Sequence, residues 1–249
     1  MSTDYHVVGG ATSGEKEARK TLAEMLRAAP IPDEELGLNL GLFTNRQALS
    51  RILFMHEIYS RIVNVHGSVM EFGVRWGQNL SLFSAFRGMY EPFNYNRKII
   101  GFDTFSGFPS VDGKDGAVPK SGSYGVSENY QEFHDRILAL HESASPIPQK
   151  KKYELVKGDA TQTIRSYLEE HPETIVALAY FDFDIYAPTK ACLEAILPRM
   201  PKGAVIGFDE LNCPEFPGET LAVMETLSLP RCALRRSPLN PLCSYLVLE

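Results

Sequence analysis

No apolar run in the sequence is long enough to cross a bilayer, which takes about 20 consecutive residues, and its beginning lacks the basic-then-apolar pattern of a secretory signal. Four cysteines, Cys192, Cys213, Cys232 and Cys243, show neither CxxC spacing nor a zinc pattern. They read as reduced thiols, with Cys192 and Cys243 simply packed. Basic residues are in the minority, 25 Lys and Arg against 31 Asp and Glu, for a formal net charge of −6. That balance disfavours a surface that tracks nucleic-acid phosphates. The single basic run, Lys150-Lys151-Lys152, reads as a solvated approach to a strand. The expectation is a cytoplasmic protein without nucleic-acid or membrane partners.

What is present is ordinary for a globular chain: 249 residues, 44% hydrophobic and 22% charged. Such a chain buries a sizeable core without staples. Residues 1–14 are polar and rich in Gly and Ser, and are expected to be poorly ordered. A helix is expected over Glu15–Ala29, stopped by Pro30 and Pro32. Thr44 and Asn45 can cap a second helix running to about Val65, with Leu49, Ile52, Leu53, Tyr59 and Val63 on its apolar face. Residues 1–65 thus read as a tail and helical cap, and 66–249 as one domain.

From Ser68 the pattern alternates. Strands are expected near 68–72, 98–102, 153–157, 175–183 and 203–208, and helices near 78–90, 128–142, 161–170, 187–199 and 218–228. Repeated βα alternation implies an α/β fold, doubly wound, with a mostly parallel sheet covered by helices on both faces. Segments 231–236 and 243–248 are separated only by Ser237–Leu242, too short for a helical crossover, so they should pair antiparallel. A seven-stranded Rossmann-like sheet ending in an antiparallel hairpin is the order expected of a class I methyltransferase. The glycine-rich stretch Gly107–Asn129 lies where a tight turn would suffice, and reads as a loop that covers a substrate.

Acidic residues close the strands: Glu71, Asp103, Asp159, Asp182 with Asp184, and Asp209 with Glu210. Ligands of open α/β sheets bind at the carboxyl ends of the strands, so these side chains should gather at one crevice. Gly73 and Gly77 let the backbone approach a ligand at a helix start. The third glycine of a dinucleotide fingerprint is missing there. Glu71 suits the cationic amino group of S-adenosylmethionine, and Asp103 can accept both ribose hydroxyls. Asp159 can meet the adenine amine or simply cap a helix. Asp182, Asp184, Asp209 and Glu210 would raise one another's pKa unless a hard cation such as Mg²⁺ sat among them, although capping is an alternative for Asp184 and Glu210. His134, beside the long loop, is a candidate base or an exposed helix residue. Arg75 and Trp76 are placed to shape the pocket.

The strings Val69-Met70-Glu71-Phe72-Gly73-Val74, Gly101-Phe102-Asp103-Thr104-Phe105-Ser106-Gly107-Phe108-Pro109 and Asp182-Phe183-Asp184-Ile185-Tyr186 resemble the macrocin O-methyltransferase family of sugar O-methyltransferases. The likeness spans residues 44–249 and is greatest to the branch acting on nucleotide-activated deoxysugars such as dTDP-rhamnose. It implies S-adenosylmethionine at Glu71, Gly73, Gly77, Asp103, Thr104, Asp159, Ala160 and Asp182. It implies a divalent cation on Asp182, Asp209 and Glu210, a base in Asp184 or His134, a role in antibiotic biosynthesis and a homo-oligomer. Where the family usually has Asp-Asp after the fifth strand, this chain has Asp209-Glu210, and Phe183 replaces the usual glycine. A catechol-type O-methyltransferase would share these sites. An NAD-linked oxidoreductase would need the absent third glycine and a Tyr-xxx-Lys or His base, and a non-enzymatic binding module would be expected to lose the acidic strand ends.

Overall fold

A computed structural model describes residues 11–249, so most of the polar stretch expected to be poorly ordered lies outside the described residues. Its last part is ordered: Thr12 caps helix α1 (Ser13–Arg27) by exchanging hydrogen bonds with Glu15. After a single turn, α2 (Asp33–Leu36), and a 3₁₀ segment, Asn45 caps α3 (Arg46–Ser60), its side chain accepting from the Ala48 N–H at 2.9 Å. Helix α3 ends five residues earlier than expected, and its buried face matches the expected one only in part. Tyr59 is buried as expected, together with Phe54, Met55 and Ile58, whereas Leu49 and Leu53 are exposed.

The remaining elements are β1 (Ser68–Phe72), α4 (Gln78–Tyr90), β2 (Ile99–Asp103), α5 (Tyr130–Ser143), β3 (Tyr153–Lys157), α6 (Ala160–Glu170), β4 (Val176–Phe181), α7 (Tyr186–Ile196), β5 (Val205–Phe208), α8 (Pro217–Thr226), β6 (Arg235–Arg236) and β7 (Ser244–Val247). They form one seven-stranded sheet in the order β3-β2-β1-β4-β5-β7-β6. Five strands run parallel, and β7 pairs antiparallel with both β5 and β6, as the short connection requires. The sheet is Rossmann-like, mostly parallel and covered by helices on both faces, as expected.

Alternation along the strands sorts the core into two layers. Val69, Ile99, Leu178, Tyr180 and Val205 face α3, α4 and α5. Met70, Phe72, Phe102, Phe181 and Phe208 face α6, α7 and α8. Within the second layer Phe102, Phe72, Phe181 and Phe208 stack across four adjacent strands, with ring centroids 5.1, 4.7 and 5.7 Å apart. The parallel register makes this possible, pairing Phe72 with Phe102 and Phe181, and Phe181 with Phe208.

The lysine run is only partly solvated. Lys151 is exposed, but Lys152 is 2% exposed and forms an ion pair with Glu142 of α5, which also pairs with Arg87 of α4. No helix among the described residues is long and apolar enough to cross a membrane.

Candidate active site

The four stacked phenylalanines are each the last residue before a crevice-facing position. Gly73, Asp103, Asp182 and Asp209 follow them directly, so the register sets one glycine and three aspartates at a single level above an aromatic floor. The chain reverses its direction of winding between β1 and β4, which opens the crevice at this point. The wall carries Gly73, Asp103, Thr104, Asp159, Ala160, Asp182, Asp184, Asp209 and Glu210 together. Each of these residues was expected at the site.

On the β2–β3 side Asp103 is first of all a turn organiser. Its Oδ2 accepts the N–H groups of Val74 and Arg75 at 2.7 Å each, and Oδ1 accepts that of Phe105. Burial raises its pKa, and these three hydrogen bonds oppose the rise. Asp159 caps α6, accepting from the Thr161 N–H at 2.9 Å and its hydroxyl at 2.7 Å, and still lines the crevice. Thr104 donates its hydroxyl to the Gly107 carbonyl.

Four expected residues, Glu71, Trp76, Gly77 and His134, do not reach the crevice wall; Trp76 packs edge-on against Tyr130 instead. Glu71 precedes Phe72, so the strand's alternation turns it to the opposite face, where it is fully buried. Asn79 of α4 donates to its Oε1 at 3.0 Å, while Oε2 has no partner among the described residues. Gly77, at φ +78°, starts α4, and a Cβ there would meet the His134 ring at 2.1 Å. His134 is correspondingly 1% exposed and packed under this turn, neither an exposed helix residue nor a base at the crevice. Burial pushes its imidazole down to about 4. The unfolded chain therefore binds a proton at His134 below its ordinary value of 6.5, while the folded chain does not until about 4. Stability held above pH 6.5 is lost as pH falls through that window, by up to about 3 kcal/mol. Thermal melts at pH 7 and pH 5 should differ less for His134→Gln than for the native protein; an unchanged difference refutes this.

On the β4–β5 side the carboxylates are held by a cation from outside the sheet. Arg51 of α3 reaches Asp209 Oδ1 at 2.6 Å and Oδ2 at 2.9 Å, and Asp182 Oδ2 at 3.4 Å. Tyr180 donates its hydroxyl to Asp209 Oδ1 at 2.7 Å, and the Cys243 thiol donates to the same oxygen. Cys243 is thus part of the acidic network and not mere packing. Burial works to raise the pKa of Asp209, but the Arg51 charge and these donors outweigh it and hold the group low. At Asp182 and Glu210 the Arg51 charge also opposes the rise but does not outweigh it. Burial, then the Asp209 charge, pushes Asp182 well up, and burial with Asp182 and Glu210 does the same for Asp184. Glu210 is raised to about 7 by burial and by Asp209. Glu219, fully buried in the first turn of α8, accepts the Glu210 N–H at 3.3 Å and is itself raised, chiefly by burial.

The long loop folds back over this side. Gly107, Phe108, Pro109 and Tyr124 line the crevice. Its middle is pinned by Asp115, 1% exposed, which accepts the Tyr186 N–H of α7 at 2.6 Å.

No family model and no curated protein matches the sequence, but solved structures do. CalS11, described as a calicheamicin methyltransferase, superimposes with a TM-score of 0.92 and 41% identity, over 98% of this chain and 96% of that one. Its apo form, described as a TDP-rhamnose 3'-O-methyltransferase of calicheamicin biosynthesis, gives 0.85 and 39% identity over 96% of each chain. The chain belongs to the macrocin-type sugar O-methyltransferase family. The O-methyltransferase NovP shares the fold at a TM-score of 0.62 and 18% identity, over 94% of this chain. As a member of that family, the protein is an S-adenosylmethionine-dependent O-methyltransferase.

Sequence reasoning about this methyltransferase missed Arg51, Tyr180 and Glu219. Arg51 had a readable signal: it lies three, four and seven residues before the buried Phe54, Met55 and Ile58, at the end of one helical stripe. Tyr180 and Glu219 had none, because nothing local distinguishes a buried polar partner from an ordinary strand or helix residue.

Proposed function

We propose that the protein methylates a hydroxyl of a nucleotide-activated deoxysugar resembling dTDP-rhamnose, with S-adenosylmethionine as donor and a divalent cation such as Mg²⁺. The observation that carries the reading is the 41% identity over 98% of the chain to CalS11, whose apo structure is described as a TDP-rhamnose 3'-O-methyltransferase.

S-adenosylmethionine supplies an electrophilic methyl group when bound. Asp103 and Asp159 accept hydrogen bonds from its ribose and adenine, Gly73 leaves room for it, and Thr104 and Ala160 form the adjoining wall. Glu71, one layer below, keeps a second oxygen without a partner among the described residues, and burial, then the Asp182 charge, pushes its pKa well up.

The donor set fits a divalent cation chemically. Asp182, Asp184, Asp209, Glu210 and Glu219 are five carboxylates in mutual electrostatic contact, with Arg51 as counter-charge at the Asp182–Asp209 edge. Glu210 Oε2 and Glu219 Oε2 are buried without a hydrogen-bond partner among the described residues. No three His, Cys, Asp or Glu residues among those described stand ready-spaced around one point. Asp182, Asp209 and Glu210 would hold the ion, which supplies Lewis acidity that lowers the pKa of an acceptor hydroxyl. Asp184 lines the same crevice and would take the hydroxyl proton once the ion's charge offset the burial and neighbouring carboxylates that hold its pKa up, while the pinned loop with Phe108 and Tyr124 covers the crevice.

Saturating Mg²⁺ is expected to raise the melting temperature, since a ligand at 100 times its Kd adds about 2.7 kcal/mol. Asp182→Asn should lose that response, and excess chelator should abolish methyl transfer. Full activity in chelator overturns the cation; transfer to catechol in preference to dTDP-rhamnose overturns the sugar. Catechol is the right competitor because Phe108, Pro109 and Tyr124 give the crevice an apolar wall.

A further inference from the structure

Arg75 is a second guanidinium on the crevice wall; its charge acts on Asp182 and Asp103, but it forms no ion pair with either. Arg51 is consumed by Asp182, Asp209 and Tyr180. Arg75 takes part in none of the ion pairs among the described residues. Its Nε is buried and has no hydrogen-bond partner among them. It is not a loose surface side chain. Its carbon Cζ lies 4.9 Å from the centre of the Tyr124 ring, which comes from the long loop, and 6.0 Å from that of Trp76. Its backbone adopts φ +49°, a conformation that is unfavourable for any residue but glycine, and Asp103 holds it there through the Arg75 N–H at 2.7 Å. A residue forced into the left-handed region at a turn, with its planar head clamped by aromatic rings and facing the crevice, is a preorganised donor fork without an acceptor. Guanidinium forks match carboxylate and phosphate oxygens in pairs.

We propose that Arg75 is an oxyanion-binding residue of the crevice, taking either the α-carboxylate of the methyl donor or the diphosphate of the acceptor. The assignment rests on the reading of the crevice as a methyl-transfer site with a nucleotide-linked acceptor. The sources differ in a testable way. Binding of S-adenosylhomocysteine, methylthioadenosine (which lacks the carboxylate), dTDP and thymidine (which lacks the phosphates) is measured by titration calorimetry on the native protein, Arg75→Gln and Arg75→Lys.

A charge-assisted pair is lost in Arg75→Gln, so affinity for one oxyanion-bearing ligand should fall about tenfold or more while its uncharged counterpart binds as before. Arg75→Lys, which keeps the charge without the fork, should recover part of the loss. Weakening confined to S-adenosylhomocysteine assigns the donor carboxylate; weakening confined to dTDP assigns the diphosphate. Arg75→Gln binding both ligands within twofold of the native protein overturns the proposal while leaving the function intact. Equal weakening of the charged and uncharged ligands also overturns it, because a collapsed turn and not a lost anion contact would be the cause. If the native protein binds none of the four, the functional reading falls and this assignment with it.

Discussion

Gly73→Ala is expected to lower methyl transfer and S-adenosylhomocysteine affinity by about 100-fold, the scale associated with misplacing reacting groups by about 1 Å. The residue follows Phe72 at φ +96°, where an L side chain is strained whatever the space. Space is lacking too. A Cβ would lie 2.1 Å from the Asp182 carbonyl oxygen and 2.6 Å from its carbon, and both are backbone atoms that cannot swing aside. Asp182 is tied to the same strand by its N–H donating to the Phe72 carbonyl at 2.8 Å, so β1 and β4 would have to separate where the two halves of the crevice meet. The damage is local, and circular dichroism should still report a folded chain. Affinity within threefold of the native protein would show that the strand ends tolerate separation.

Glu142→Ala is expected to cost about 3–5 kcal/mol of stability, because it strands two buried cations. Arg87, Lys152 and Glu142 are 1%, 2% and 5% exposed. Lys152 Nζ stands 2.7 Å from Glu142 Oε2 and also donates to the Ile147 and Lys150 carbonyls at 2.9 and 3.0 Å, while Arg87 donates to the Lys152 carbonyl at 3.0 Å. Glu142 is the sole carboxylate among the ion pairs of either cation within the described residues. For a chain of this length the cost corresponds to a fall in melting temperature on the order of 10 °C. The triad lies by the start of β3, at the opposite end of that strand from Asp159, so kcat at a permissive temperature should be preserved. A loss below about 1 kcal/mol in urea denaturation would mean that water reaches the cations.

These two sites differ in how far they could be read beforehand. Gly73 stood out as a glycine directly after an apolar strand and before a helix, read as letting the backbone approach a ligand; its closeness to the Asp182 backbone came only with the fold. Lys152 was read as part of a solvated run, and nothing singled out Glu142. Burial of a charge depends on partners: Arg87 lies 55 residues before Glu142 and 65 before Lys152, and no local pattern announces such a pairing. Helix α3 was legible as a helix from its cap and period, but apart from Tyr59 its inward face was misplaced. The stripe that packs is the one that fits against β4 and α4, and two leucines on the other side, Leu49 and Leu53, blur the period. His134 was misjudged for a related reason: closeness in sequence to the long loop says nothing about which side of α5 faces Gly77.

What the amino-acid sequence determined alone was whatever local chemistry dictates. The βα alternation, the short hairpin connection, and an acidic residue or glycine after nearly every strand were all legible, and with them the parallel sheet and its acidic edge. The pairs Phe72-Gly73, Phe102-Asp103, Phe181-Asp182 and Phe208-Asp209 even encode the level of the crevice, since parallel strands in register bring equal positions side by side. The tertiary structure alone decided which charges meet: Arg51 across 131 residues to Asp182 and 158 to Asp209, and Arg75 against Tyr124. Those contacts are set by how helices and a loop dock on a finished sheet. Docking follows from apolar area buried between distant elements, which has no signature within any one of them.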